Sequence, residues 1–199
     1  ELTPDNTRGY YNLGAAYFRI GRFDDAIAAY HRSITIQPNA AAYSNLGTVH
    51  FYIGKYQEAV AEFEKAAALS PNDPLIWGNL GDAYRWTPGL EEKAAAAFDR
   101  AIALTREQLQ VNANDAEAVA RLADWLARRG NAREAVQTIQ RALRLGPKNV
   151  NCMARAIYVY HLVGNRQQAL KWLERALNSG YGVADLQRDP ELAALRLDP

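Results

Sequence analysis

The sequence has 199 residues, of which 49% are hydrophobic and 23% charged, and its formal net charge is +1. This is an ordinary globular composition, without the roughly 18 consecutive apolar residues of a membrane span and without a secretory signal at its start. The single cysteine, Cys152, excludes an internal disulfide and a cysteine-based metal cluster. The default expectation for such a chain is a cytoplasmic location.

Three segments in the first half repeat one pattern, in chain order. They are "YYNLGAAYFRIGRFDDAIAAYHRSITIQP", "YSNLGTVHFYIGKYQEAVAEFEKAAALSP" and "WGNLGDAYRWTPGLEEKAAAAFDRAIAL". In each, an aromatic residue stands four places before a glycine, and a leucine directly before it. Alanines and aromatics then recur at helical spacing, which predicts a pair of amphipathic helices. Gly21 and Gly54 are expected to end first helices, and Pro38 and Pro71 to end second helices.

This order of aromatic, Leu-Gly, Tyr, Ala, aromatic and Pro resembles the tetratricopeptide repeat, a helix–turn–helix unit of 34 residues. Two weaker copies follow, "VARLADWLARRGNAREAVQTIQRALRLGP" and "MARAIYVYHLVGNRQQALKWLERALNSGY". The resemblance implies an all-α fold, a right-handed α-solenoid of antiparallel helix pairs. The predicted repeats are 7–39, 40–73, 74–115, 116–149 and 150–183.

The third repeat is longer than the pattern by eight residues. One of them enlarges the inner turn, and seven lengthen the second helix. Leu104 and Val111 suit the same repeat position and are seven residues apart. Seven residues miss two full helical turns by about 20°, so the longer helix should protrude with its apolar face in phase.

The first six residues, "ELTPDN", match the end of a second helix, because Leu2 and Pro4 take the places of Leu69 and Pro71. Residues 1–6 are therefore expected to be the tail of a preceding repeat in a larger, bacterial protein.

Residues 184–199 do not continue the repeat and are expected to form a C-terminal capping helix. Asp189-Pro190-Glu191 has the composition of a helix start. The leucines that follow can cover the last repeat, as the end of a solenoid requires.

In this family the first helix of each pair lines a concave groove, and the sixth repeat position usually faces it. The first three repeats carry Asn12, Asn45 and Asn79 there. An asparagine amide both donates and accepts hydrogen bonds, so it can match a peptide backbone. The line is similar to the asparagine ladder of the O-linked N-acetylglucosamine transferase family, and this implies backbone recognition of an extended peptide. The alternative is local hydrogen bonding between neighbouring helices.

The last two repeats carry Arg121 and Arg155 at the same position, where they would bind carboxylates or phosphates. Residues 116–183 contain 11 Lys/Arg and 4 Asp/Glu, so a preference for an acidic partner is expected there. Asp124 lies one turn from Arg121 and could neutralise it, an alternative that charge alone does not decide.

Aromatic residues also fall on groove positions of the first three repeats. They suit the apolar side chains of a bound peptide, or alternatively pack against the neighbouring repeat. These residues are Tyr11, Phe18, Phe51, Tyr52 and Trp86.

The sequence gives little support for other kinds of binding site or for a catalytic site. The dicarboxylate clamp of chaperone-binding repeats is matched only at Asn79 and Arg121, and Glu117 has the wrong sign. The chain has no phosphate loop, dinucleotide fingerprint or zinc spacing, and no nucleic-acid reading motif. We expect no enzyme activity, catalytic residue, metal or cofactor.

The predicted function is a non-catalytic protein–protein interaction scaffold that binds an extended peptide or a partner helix in its concave groove. The alternative is a regulatory or self-association module of a larger signalling protein, such as a kinase, a cyclase or a transcription regulator. Self-association would give homo-oligomers of the chain.

Overall fold

The computed structural model describes residues 6–182, 190–192 and 195. The described residues form ten α-helices and one 3₁₀ helix, and contain no strand. The α-helices are α1 Thr7–Arg19, α2 Phe23–Ile36, α3 Ala40–Tyr52, α4 Tyr56–Leu69, α5 Pro74–Arg85, α6 Glu91–Val111, α7 Ala116–Arg128, α8 Ala132–Leu145, α9 Val150–Leu162 and α10 Arg166–Asn178. A C-terminal 3₁₀ helix spans Pro190–Leu192. The prediction of an all-α fold is confirmed for the described residues.

The first helices of the pairs, and also α10, begin after a side chain that accepts a hydrogen bond from a free backbone N–H group. Helices α2, α4 and α8 have no such side-chain cap. The Asn39 side chain accepts a hydrogen bond from the backbone of Ala42, and Asp115 does the same for Ala118. Such caps are worth about 1 kcal/mol each. The division into five repeats stays a prediction, and the first helices of the pairs begin at Thr7, Ala40, Pro74, Ala116 and Val150.

Two glycines of one helix pair have different structural roles. Gly54 follows α3 with φ +78°, and a Cβ there would meet no atom within 4 Å, so its role is to adopt the left-handed turn. Gly47 lies inside α3, and a Cβ there would lie 3.0 Å from the ring of Phe63 on α4. Its role is to let two helices approach closely.

The core of each pair is built from small residues set against a few large ones. Ala26, Ala59, Ala135 and Ala169, which hold the same place on successive second helices, are all fully buried. An alanine at such a point lets the helix axes approach, and neighbouring aromatic or branched side chains fill the remaining space.

The chain divides into two compact units, residues 1–97 and 98–199, with the boundary inside α6. In the first unit α3 packs against α4, and it also contacts α1 and α5. In the second unit α7 packs against α8 and α9, and α9 packs against α10.

Helix α6 has 21 residues, against 14 in α4. Leu104 on this helix is buried, whereas Val111 is almost fully exposed, although the two residues are in phase. The apolar face of α6 therefore continues to the end of the helix, but Val111 at that end is not covered by packing.

Several predictions concern residues outside the described part. These are the tail of a preceding repeat at residues 1–5, the last residue of the predicted fifth repeat at 183, and most of the predicted cap at 184–189, 193–194 and 196–199. Among the described helices, none combines the length and the apolar character that crossing a membrane demands.

Candidate functional site

The three asparagines lie on α1, α3 and α5, which are neighbours within the first unit. Asn12 is exposed, and Asn45 and Asn79 are half-buried. Burial raises the pKa of Tyr30 to about 12, and a hydrogen bond from the Asn45 side chain acts in the opposite direction. Asn45 thus makes the kind of local contact between helices that was the alternative to backbone recognition.

Four of the five predicted aromatic residues are brought together by the structure in one continuous set of rings. Two further rings, at the starts of α2 and α4, complete it, and successive ring centroids lie between 5.3 and 6.4 Å apart. We call this set the aromatic row; it comprises Phe23, Phe18, Tyr52, Phe51, Tyr56 and Trp86. All six side chains are half-buried, so each ring contacts its neighbours and retains a face toward solvent.

The sequence reasoning missed Phe23 and Tyr56. Both stand two residues after the glycine that ends a first helix, Gly21 or Gly54, at equivalent places in successive repeats. That recurrence was the available signal. The fifth predicted aromatic residue, Tyr11, lies apart from the row, with its ring centroid 6.0 Å from that of buried Tyr30.

A shallow cleft of about 320 Å³ opens at the α4–α5 end of the aromatic row. Tyr56 and Trp86 form its apolar wall, stacked at 5.4 Å with 30° between their planes. Lys55 and Glu58 contribute charges of both signs to its rim. The cleft has the size and lining to take one apolar side chain whose neighbours are polar.

In the second unit, Asp124 on α7 joins two arginines. Its side chain is 0% exposed and accepts hydrogen bonds from Arg128 Nε at 3.1 Å and Arg155 Nη1 at 2.5 Å. Arg128, only 5% exposed, also lies 3.4 Å from Glu191 Oε2, whereas Arg155 on α9 is 38% exposed. Arg155 is therefore half-buried and already ion-paired.

In the structure Asp124 pairs with Arg128 and Arg155, not with Arg121 as the sequence had suggested. Arg128 follows Asp124 by four residues, a spacing that faces the two side chains on one helix, and α9 supplies Arg155. The carboxylate nearest to Arg121 is instead Glu117, at 3.9 Å.

Glu117 is itself held by two amides. It accepts hydrogen bonds from Asn149 at 3.0 Å and Asn151 at 3.1 Å, and these bonds lower its pKa. The Nε atom of Arg121 is buried and has no hydrogen-bond partner within the described part of the chain. The Arg121 side chain is 20% exposed, and a carboxylate could reach only that exposed part, because the Nε atom is buried.

The described residues contain no group of three or more His, Cys, Asp and Glu side chains that could hold a metal ion. The histidines do not form a site, and His50 on α3 is buried with its Nδ1 atom unpaired in the described structure.

Two family models match the chain, and both bear the description tetratricopeptide repeat. The first matches residues 5–72 and the second residues 44–108, so together they cover just over half of the sequence. The chain belongs to the tetratricopeptide repeat family. This family assignment confirms the resemblance found in the sequence, and it supports a general role as a protein-interaction scaffold.

Solved structures with the same fold cover most of this tetratricopeptide-repeat chain. The thermophilic TPR protein TTC0263 of Thermus thermophilus is 20% identical, with 96% of this chain and 100% of that chain covered and a TM-score of 0.67. The APC/C hetero-tetramer Cut9–Hcn1 is 19% identical, with coverages of 96% and 36% and a TM-score of 0.62. MamA 41-end from Desulfovibrio magneticus RS-1 is 16% identical, with coverages of 88% and 95% and a TM-score of 0.52. At these identities the likeness shows the fold alone, and no curated protein sequence matches the chain.

Proposed function

We propose that this tetratricopeptide-repeat chain is a non-catalytic scaffold that binds an extended peptide on the first helices of its pairs. The observation that carries the proposal is the aromatic row, which joins four predicted groove residues on the helices that also carry the asparagine line. Half-buried aromatic rings in a continuous set are typical of surfaces that bind apolar side chains.

The spacing on individual helices supports a combined use of amides and rings. Tyr52 follows Asn45 by seven residues, and Trp86 follows Asn79 by seven. Seven residues on a helix return to nearly the same face about 10 Å further along the axis. A peptide held through its backbone by the amides would place its apolar side chains on the rings, with one of them in the cleft between Tyr56 and Trp86.

In the second unit, the proposed preference is for an acidic segment. Arg121 makes only a long contact to Glu117, at 3.9 Å, so the exposed fifth of its side chain could bind a carboxylate, although its buried Nε atom could not take part. Arg155 is partly neutralised by Asp124 and would bind a carboxylate through its exposed part. A bidentate arginine–carboxylate contact would favour acidic residues over neutral ones.

An array of random twelve-residue peptides, probed with the full chain, tests the proposal. The triple variant Asn12→Ala, Asn45→Ala, Asn79→Ala should lose most peptide binding across sequences, because backbone contacts do not depend on side chains. The matched control replaces three exposed amides on other helices, Gln108→Ala, Gln110→Ala and Gln140→Ala. Circular dichroism checks that both triple variants stay folded. Unchanged binding by a folded asparagine variant would remove the basis for the proposal.

Trp86→Ala is the second variant in the same array. It should selectively lose peptides with large apolar residues, because the wall of the cleft is removed. Light scattering over a range of concentrations tests the self-association alternative, which predicts dimers or larger species at micromolar concentration. The cytoplasmic location stays a prediction.

A further inference from the structure

The C-terminal 3₁₀ helix Pro190–Leu192 lies on α9 in the second unit. Leu192 is fully buried there, and Leu195, three residues later, is buried as well. Burying two leucines removes apolar surface from water, which favours the docked position of the segment.

This segment also reaches α7. Glu191 Oε2 lies 3.4 Å from Arg128 Nη1, a contact between residues 63 positions apart in the chain. A cap that only continued the stack of helix pairs would pack on the last pair, α9 and α10. Through Glu191 the segment contacts α7 as well as α9, which are the first helices of the last two pairs.

The charges on α7 and α9 match the chemistry of the segment. Arg128 holds Glu191 and Asp124 together, and its guanidinium lies 5.9 Å from the ring centroid of Tyr158 on α9. The segment supplies a carboxylate, a leucine directly after it and a second leucine three residues later. A partner with the same three features would find the same arginine and the same apolar contacts.

We propose that α7 and α9 form a binding site for a short acidic–aliphatic segment of the form Glu-Leu-x-x-Leu, and that Glu191, Leu192 and Leu195 of this chain occupy the site and compete with partners. The inference rests on the proposed preference of the second unit for acidic segments, and it names the ligand chemistry and the competitor. Binding by a partner then requires the chain's own segment to leave, which lowers the apparent affinity by the fraction of molecules in which it has left.

The test uses the full chain and a labelled synthetic peptide, PELAALR, with fluorescence anisotropy as the readout. The double variant Glu191→Lys, Leu192→Asp should release the segment, because it sets an ammonium group against Arg128 in place of the carboxylate and places a carboxylate in an apolar site. The matched control is Leu170→Asp, Glu174→Lys, which makes the same two changes at exposed positions of α10. The peptide should bind the released variant about tenfold more tightly than it binds wild type or the control. A peptide with Gln in place of its Glu should lose most of that gain.

Equal peptide affinity for wild type, control and released variant would refute the inference. If the double variant does not fold, Glu191→Gln replaces it; this substitution removes only the ion pair and should give a smaller gain, with no gain again counting against the inference. A concentration-dependent dimer of the wild-type chain would also overturn it, since the segment would then occupy a second copy.

The outcomes separate this inference from the proposed function. Acidic peptides that bind wild type and the released variant equally well would leave the proposed function standing and refute self-occupation. Acidic peptides that bind neither would refute both, and about tenfold tighter binding to the released variant than to wild type is the expected result.

Discussion

Replacing Asp124 by asparagine removes the one negative charge that joins two arginines within the second unit. The side chain is 0% exposed, and the arginines are 5% and 38% exposed, for Arg128 and Arg155 respectively. Removing one partner of a buried ion pair costs about 3–5 kcal/mol, because the other charge stays buried without compensation. Arg155 can turn toward water, so we expect the lower end of this range, about 3 kcal/mol.

The assay is urea unfolding of Asp124→Asn, with a thermal melt that should fall by about 10 °C. Hydrogen exchange should locate the loss of protection in α7 and α9, because both helices contribute to the cluster. The matched control is Asp99→Asn in the same unit. Asp99 is 59% exposed and binds Arg129 at 2.7 Å, so its loss should cost less than about 1 kcal/mol. Equal losses for the two variants would refute the view that burial sets the cost.

Three single positions give further predictions. Gly47→Ala should lower the free energy of unfolding, measured in urea, by about 1–3 kcal/mol, because the new Cβ presses on the ring of Phe63. The cost of this contact exceeds the gain in helix propensity, which is about 1 kcal/mol. An unchanged or higher stability would show that the two helices can move apart freely. Burial lowers the pKa of His50 in the folded chain, and Glu62 acts in the opposite direction. At a pH just below 6.5, about the pKa of an unperturbed histidine, the unfolded chain therefore binds more protons than the folded chain. Stability should therefore decrease as the pH falls below about 6.5, and His50→Tyr should reduce that slope; an identical slope would exclude His50 as its source. Burial raises the pKa of Cys152 to about 11, so the native thiol should react with iodoacetamide at pH 8 about a hundredfold more slowly than the thiol of the urea-unfolded chain, and comparable rates would contradict its burial.

The elements of the fold could be read from local signals because each signal acts on its neighbours along the chain. Gly54 ends α3 since its left-handed conformation is cheap only for glycine, and Asp115 starts α7 by accepting a backbone hydrogen bond. The small residue at Gly47 was recognisable from its recurrence every 33 or 34 residues. The structure adds its packing partner, the ring of Phe63.

The candidate site was predictable only as a set of repeat positions. Periodicity placed Phe51, Tyr52 and Trp86 on the same kind of helix, and the structure brings their rings together with Tyr56. The roles of these residues in binding stay predictions.

The sequence by itself determined the helices, their order and their membership of the tetratricopeptide repeat family, because caps, turns and apolar periodicity operate over a few residues. Only the tertiary structure decided which charged and polar groups meet. Asp124 pairs with Arg155 on another helix, and Arg128 meets Glu191 from the C-terminal segment. Such pairs depend on the separation and rotation of packed helices, which are set by the summed fit of many side chains and are not encoded in the spacing of any few residues.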